Sequence, residues 1–232
     1  MNRNIAIDGP AGAGKSTIAK KVAGRLGLVY VDTGAMYRAI GLYMTENGIK
    51  ASDTGALKTA LNGISLDIIY EGGEQQIILN GENVSDLIRT PEIGKAASKF
   101  AAIACVREEL VGKQKILAKR TAVVMDGRDI GTKVLPDASV KIFLTADVEV
   151  RAERRYKELL EKGEKVDFEL IKEDIIKRDE QDMNREESPL VKAEDAVLVD
   201  TSRLSIDEAT EEIARIACVK NPGLIKGKDD WK

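Results

Sequence analysis

The sequence predicts an α/β fold built on a parallel sheet, with one small antiparallel insert. Three observations lead there. The apolar strand Ile5-Ala6-Ile7 runs into Gly9-Pro10-Ala11-Gly12-Ala13-Gly14-Lys15-Ser16-Thr17 and then into a helical pattern. Apolar runs at Leu28 to Val31, Ala122 to Met125, Val140 to Leu144 and Ala196 to Val199 alternate with helical stretches, which is how a buried parallel sheet reads. From about Gly63 the period drops to two, with Ile64, Leu66, Ile68 and Tyr70 alternating before a Glu71-Gly72-Gly73-Glu74 turn.

The glycine-rich stretch fits Gly-x-x-x-x-Gly-Lys-Ser/Thr without a mismatch. Small residues let backbone N–H groups turn inward around phosphate oxygens. The following helix presents its positive end, and the lysine reaches the outer phosphates. Gly9 to Thr17 are therefore expected to bind a nucleoside triphosphate, with Ser16 placed to ligate magnesium. Ile18, Val22 and Leu26 give the next helix its apolar stripe, and Gly27 ends it. Leu28 to Val31 then leads into Asp32-Thr33-Gly34-Ala35-Met36-Tyr37-Arg38, a polar turn opening another helix. In the insert, Ile77 to Leu79, an Asn80-Gly81 turn and Val84 continue the small sheet. Thr90-Pro91 is the start of a long helix, and Ser205-Ile206-Asp207-Glu208 caps the last one. Lys220 to Lys232 reads as a polar, frayed tail. Ligands bind beyond the carboxyl ends of such strands, so Gly9 to Thr17, Asp32 to Arg38, Asp126 to Asp129 and Asp200 to Ser202 are expected to line one rim.

Composition narrows the chemistry. With 36 Lys and Arg against 39 Asp and Glu, the net charge of −3 offers no general field for nucleic acid or anionic membrane. The 232 residues, 43% hydrophobic, suit one core domain with insertions. Cys105 and Cys218 are far apart and lack metal-ligand spacing, so reduced, packing cysteines in a cytoplasmic protein are expected. No apolar run is long enough for a signal peptide or a membrane span. The chain has no histidine, which removes Ser-His-Asp, Cys-His and His-metal mechanisms.

Charges fall where apolar residues belong. After Pro91 the stripe Ile93, Ala97, Phe100, Ala104 places Arg107 at its next inward position, followed by Val111. Downstream, Phe168, Ile171 and Ile175 continue as Arg178, Asp182 and Arg185. A lone buried charge is costly, so either these faces line a cleft for an anionic ligand, or the helices end there and the charges are solvated. Arg151, Arg154 and Arg155 share one helical face. They suit a transferring phosphoryl group, or belong to a solvated helix with Glu149, Glu153 and Glu158. Asp126 and Asp129 straddle a Gly-Arg after a strand; they position magnesium, directly or through water, bond a substrate, or simply form a turn.

Together these residues resemble the bacterial cytidylate kinases, within the P-loop nucleoside-monophosphate kinases, from Ile5 to about Ala217. The resemblance rests on Asp8 to Ser16, Asp32 to Arg38, Ile88-Arg89-Thr90, Asp126-Gly127-Arg128-Asp129-Ile130-Gly131-Thr132, and Arg178-Asp179 through Asn184-Arg185 with Ser188-Pro189-Leu190. It implies a three-layer P-loop fold with a five-stranded parallel sheet of order 2-3-1-4-5. The kinase domain is then 1–218, with a monophosphate-binding insert at about 39–120, its antiparallel sheet at about 63–89, a short mobile lid at about 151–187, and a tail at 219–232. Matched by motif, Thr33, Tyr37, Arg38 and Arg128 surround the acceptor phosphate. Ser98, Arg107 and Asp129 surround the cytosine, and Arg178, Asp182 and Arg185 surround the sugar and the closing lid. Thr33 stands where relatives also carry serine, and the hydroxyl is kept. Lys15, Arg128, Asp129, Arg154 and Arg155 are the expected catalytic group, and Ser16, with Asp126 through water, the magnesium site.

The implied reaction is ATP-dependent phosphorylation of CMP and dCMP by a cytoplasmic monomer that needs neither nucleic acid nor membrane. A kinase for UMP or a small metabolite, or a nucleotide-dependent binding module, are the alternatives. The absence of an Asn-Lys-x-Asp motif counts against the module, and an insert of this size counts against a small acceptor. Substrate entry would require Arg151, Arg154, Arg155 and Arg178 to leave the cleft.

Overall fold

The computed structural model describes residues 2–224. The chain forms two compact units: residues up to Tyr30 with those from Thr121 onward, and Val31–Arg120.

The five-stranded parallel sheet has strands β1 (Ile5–Asp8), β2 (Val29–Asp32), β6 (Val123–Gly127), β7 (Val140–Thr145) and β8 (Val197–Asp200), all in the first unit except the last two residues of β2, where the second unit begins. The order across the sheet is β2-β6-β1-β7-β8. Counting only these five strands, that is the expected 2-3-1-4-5. In the centre, Ile7 of β1 pairs with Asp126 of β6 and Ile142 of β7. All four residues of β1 are buried, as befits a central strand with a neighbour on each side. Helix α1 (Lys15–Leu26) and the last long helix, α8 (Ile206–Lys220), bury Ile18, Val22, Leu26 and Ile213 against Ile5, Ile7, Val140, Ile142 and Leu144. Ser205 and Glu208 cap α8 reciprocally, as their spacing predicts. Two helices, α6 (Val148–Glu161) and α7 (Phe168–Asn184), pack together, with Tyr156 meeting Phe168 edge-on at 5.9 Å.

Two expectations change here. The run ending at Val199 is not a buried strand: Leu198 is 57% exposed, because β8 lies at the sheet edge with only one face covered. The expected tail also starts too early. Helix α8 continues to Lys220, and Pro222–Leu224 forms a turn whose Leu224 is fully buried in this core. Residues 225–232 of that tail lie outside the described residues.

The second unit joins helices α2 (Thr33–Glu46), α3 (Thr54–Gly63), α4 (Pro91–Ala101) and α5 (Ala104–Arg120) to a small antiparallel sheet. The sheet strands are β3 (Leu66–Glu71), β4 (Glu74–Leu79) and β5 (Glu82–Asn83). Leu66, Ile77 and Leu79 turn inward to Met36, Ile40, Leu57 and Ile88, while the alternate residues face solvent. The long helix expected after Pro91 is two helices. The chain turns at Ala102-Ile103, Ala104 is exposed, and the buried set resumes as Val106, Arg107, Leu110 and Gln114. Arg107 is thus inward, as expected, but on a new helix rather than along one continuous stripe.

Candidate active site

In the first unit, β1 delivers the chain to Gly9, where φ is +153° and a Cβ would lie 1.9 Å from the Leu144 carbonyl oxygen. Only glycine passes that point. Gly14, left-handed at φ 84°, sets the N-terminus of α1, so Lys15 and Ser16 open the helix with its unpaired N–H groups. Lys15 is buried, and its Nζ donates to the Pro10 carbonyl at 2.6 Å. Burial and the Arg128 guanidinium hold its ammonium well below the usual lysine range, partly opposed by Asp126 and Asp182. Bound phosphate charge acts in the opposite direction, toward the protonated form.

Ser16 Oγ donates to Asp126 at 2.9 Å, and the other oxygen of Asp126 accepts from Tyr30 Oη at 2.9 Å. An alcohol and a carboxylate side by side are hard oxygen donors, the set magnesium prefers, with phosphates and water completing its six positions. Among the described residues no cluster of three or more His, Cys, Asp or Glu could hold a metal alone. Ser16 and Asp126 would supply two of those positions.

Beyond β6, Arg128 Nε donates to Asp182 at 2.6 Å. Arg185 lies 3.7 Å from Asp129 and 3.8 Å from Asp182, and its Nε donates to the Ser188 carbonyl at 2.6 Å. Burial alone would raise the Asp182 carboxyl, but Arg128, Arg178 and Arg185 outweigh it and hold the group below the usual carboxylate range. Asp8, at the end of β1, is treated differently. It accepts from the N–H groups of Ile130 and Gly131, both at 2.7 Å, and burial pushes its carboxyl up to about 6.

The three arginines of α6 diverge. Arg151 is buried and donates to the carbonyls of Ala146 and Ala11 and to Asp179. That overturns the expectation that it must swing out of a cleft, since its partners are protein groups inside the fold. Arg154 bonds the Thr201 carbonyl at 2.6 Å and its hydroxyl at 3.2 Å, and Thr201 Oγ1 donates to the Thr145 carbonyl at 3.1 Å, with the Ala13 carbonyl of the loop farther off at 3.4 Å. Arg155 pairs with Glu158 at 2.8 Å on a half-exposed surface. Spacing alone had put all three on one face. Their different reach and partners separate them.

In the second unit, Asp32 caps α2 through the Ala35 N–H at 2.9 Å and pairs with Arg38 at 2.8 Å. Thr33 is buried in the first turn, with Tyr37 one turn on. The Arg107 guanidinium lies over the Tyr37 ring at 5.8 Å and donates to the Ala101 carbonyl at 3.2 Å. Ser98 is half-buried on α4.

The structure thus gathers Lys15, Ser16, Asp126, Arg128, Asp129, Asp182 and Arg185 in the first unit, with Arg178 among the charges acting on Lys15 and Asp182. In the second it joins Tyr37 to Arg107. Thr201, read from sequence only as part of a rim, joins Arg154 to the end of β7 at Thr145. Asp179 and Asp8 also hold positions here that had no expected role, Asp179 on the Ala11 N–H and Asp8 on those of Ile130 and Gly131. Asp179 was accessible by the same register rule, since it follows Ile175 by four and precedes Asp182 by three. Asp8 carried the weaker signal of a carboxylate closing an apolar strand.

Comparison with known proteins shows the family of the chain. A family model described as cytidylate kinase matches residues 5–218. A cytidylate kinase of Caldicellulosiruptor bescii is 50% identical over 92% of this chain and 94% of its own length. One from Clostridium perfringens is 51% identical over 92% of this chain and 98% of its own. Among solved structures, an uncharacterised protein from Eubacterium ventriosum superposes with a TM-score of 0.53 at 15% identity, covering 94% of this chain and 99% of that one, which speaks to the fold alone.

Proposed function

We infer, for a chain that belongs to the cytidylate kinase family, that it is an ATP-dependent kinase transferring a phosphoryl group to CMP and dCMP, giving the diphosphate and ADP. The observation that carries this reading is the family match over residues 5–218. It spans both the loop that would hold the donor and the second unit, Val31–Arg120.

The chemistry asks little covalent work of the protein. An oxygen of the acceptor monophosphate attacks the γ-phosphorus of ATP, the bond from that phosphorus to the β–γ bridging oxygen breaks, and ADP leaves with the electron pair. The acceptor oxygen is already ionised near neutral pH, so no strong base is needed and a chain without histidine suffices. Gly9 to Thr17 take the triphosphate, with Lys15 on its outer phosphates. Arg128 faces the transferring group, with Arg154 and Arg155 as further candidates. Ser16 and Asp126 would hold magnesium, which when bound neutralises phosphate charge. Thr33, Tyr37 and Arg38 take the acceptor phosphate, Ser98, Arg107 and Asp129 the base, and Arg178, Asp182 and Arg185 the sugar side.

The outer part of the α6–α7 pair, rather than Arg151, is the proposed lid. The proposal takes the enzyme as a cytoplasmic monomer acting on free nucleotides. Among the described residues no helix is long and apolar enough to cross a membrane. A coupled ADP-release assay over CMP, dCMP, UMP, AMP and small phosphate acceptors tests the reading. CMP and dCMP should be the best acceptors, and faster turnover of any other acceptor would overturn it.

A further inference from the structure

The peptide between Pro10 and Ala11 is held at both ends. Its carbonyl accepts from Lys15 at 2.6 Å, and its N–H donates to Asp179 Oδ1 at 3.2 Å. The next carbonyl, that of Ala11, accepts from Arg151 Nη1 at 2.9 Å, and the same nitrogen pairs with Asp179 Oδ2. Arg151 is fixed in turn by Nε donating to the Ala146 carbonyl at 2.9 Å, just past β7. Both side chains are about nine-tenths buried, at 8% and 11% exposure. Helix α6 also lies so close to the loop that a Cβ on Gly12 would come within 3.3 Å of the Arg151 Cβ.

We propose that Arg151 and Asp179 are a positioning pair for the phosphate loop: together they fix the Pro10–Ala11–Gly12 backbone, and Arg151 cancels a carboxylate that would otherwise repel the incoming triphosphate. Lys15 Nζ spends one of its three donors on the Pro10 carbonyl and keeps the others for the outer phosphates. Asp179 holds the same peptide from its other end, so the loop backbone does not depend on Lys15 alone. An apolar pair could pack there, but it could not accept the Ala11 N–H or donate to the Ala11 carbonyl, and a buried unmatched backbone group is costly.

The inference rests on the reading that the loop binds ATP, and it makes an asymmetric prediction. Asp179→Asn keeps an oxygen for the Ala11 N–H and removes the negative charge. Arg151→Met leaves the carboxylate bare beside the phosphates. Dissociation constants for ATP, and separately for CMP, should be measured by calorimetry at fixed salt, with melting curves alongside. Arg151→Met should weaken ATP by about tenfold or more, as expected when one member of a buried charge pair is removed, and Asp179→Asn by only a few-fold. The double variant should recover ATP affinity to within a few-fold of Asp179→Asn, while CMP affinity stays level throughout. A purely structural pair would lower the melting temperature and leave ATP affinity unmoved, which would overturn the proposal. So would a double variant weaker than Arg151→Met. Should Arg151→Met fail to fold, a double variant about tenfold weaker than Asp179→Asn would overturn it equally. A wild type that binds ATP but ignores CMP would refute the acceptor reading and leave this one standing, whereas a wild type that binds no ATP would refute both.

Discussion

Asp8 and Asp182 are both buried carboxylates of the first unit, at 4% and 8% exposure, yet their surroundings drive them in opposite directions. Asp8 is met by two backbone N–H groups, and burial prevails, so its carboxyl rises to about 6. Asp182 is met by Arg128, Arg178 and Arg185, which prevail over burial and hold its carboxyl down. The difference separates two uses of buried charge. Asp8 joins β1 to the turn after β6 and belongs to the scaffold. Asp182 balances a set of guanidinium groups that phosphate or sugar oxygens could also satisfy, which is why the proposed function sets it on the ligand side.

The comparison can be broken most forcefully at Asp182. Asp182→Ala leaves three arginines without their shared carboxylate and should cost about 3–5 kcal/mol of unfolding free energy, the range for breaking a buried ion pair. Denaturant titration with and without CMP would measure it, and ligand should return part of the loss; a cost below about 1 kcal/mol would mean the pair is effectively solvated. Next comes Lys15, which feels both carboxylates. Lys15→Ala should lower kcat by roughly two to three orders of magnitude, as removing one transition-state charge donor does, while melting stays cooperative. Wild-type turnover in that variant would remove lysine from the chemistry.

A finer test uses pH. Asp8 binds its proton more tightly folded, at about 6, than unfolded, near 3.8. Acidification from pH 7 to 4 therefore stabilises the fold at this site, by up to about 3 kcal/mol for two pH units at about 1.4 kcal/mol each. Asp182 works oppositely: its contribution is present above its unfolded value and is lost as pH falls through the lower folded one. Stability relative to Asp8→Asn should thus rise from pH 7 to 4, and stability relative to Asp182→Asn should fall below about pH 4. Parallel slopes would erase the distinction.

Much of this was legible in the sequence for identifiable reasons. The loop is local chemistry, since Gly9, Gly14, Lys15 and Ser16 serve a backbone path and a helix end that a few residues determine. Arg107 and Asp182 were found because a charge interrupting an apolar period is visible without knowing what it meets. The break at Ala102-Ile103 was not visible, because an alanine-rich run carries no glycine or proline to stop a helix. Nor could spacing show that Arg151, Arg154 and Arg155 part company: their partners Asp179, Thr201 and Glu158 include two residues from distant stretches of chain, joined only by the fold. Asp8 stayed hidden for the same reason, since its partners are backbone N–H groups more than a hundred residues on.

The central claim is that the acceptor is a cytosine nucleotide, and Arg107 tests it most directly. Cytosine offers acceptors at O2 and N3 and a donor amine at position 4, while uracil reverses part of that pattern, so a buried arginine on the acceptor edge favours one base over the other. Arg107→Met keeps much of the length and removes the donors. It should cost CMP about 1.5–3 kcal/mol in kcat/KM, the range for a hydrogen bond involving a charged group, with little change in ATP affinity. Measuring kcat/KM for CMP and UMP in both proteins should show the preference for CMP shrinking in the variant. An unchanged preference would make Arg107 a packing residue over Tyr37 and contradict the assignment of the base site.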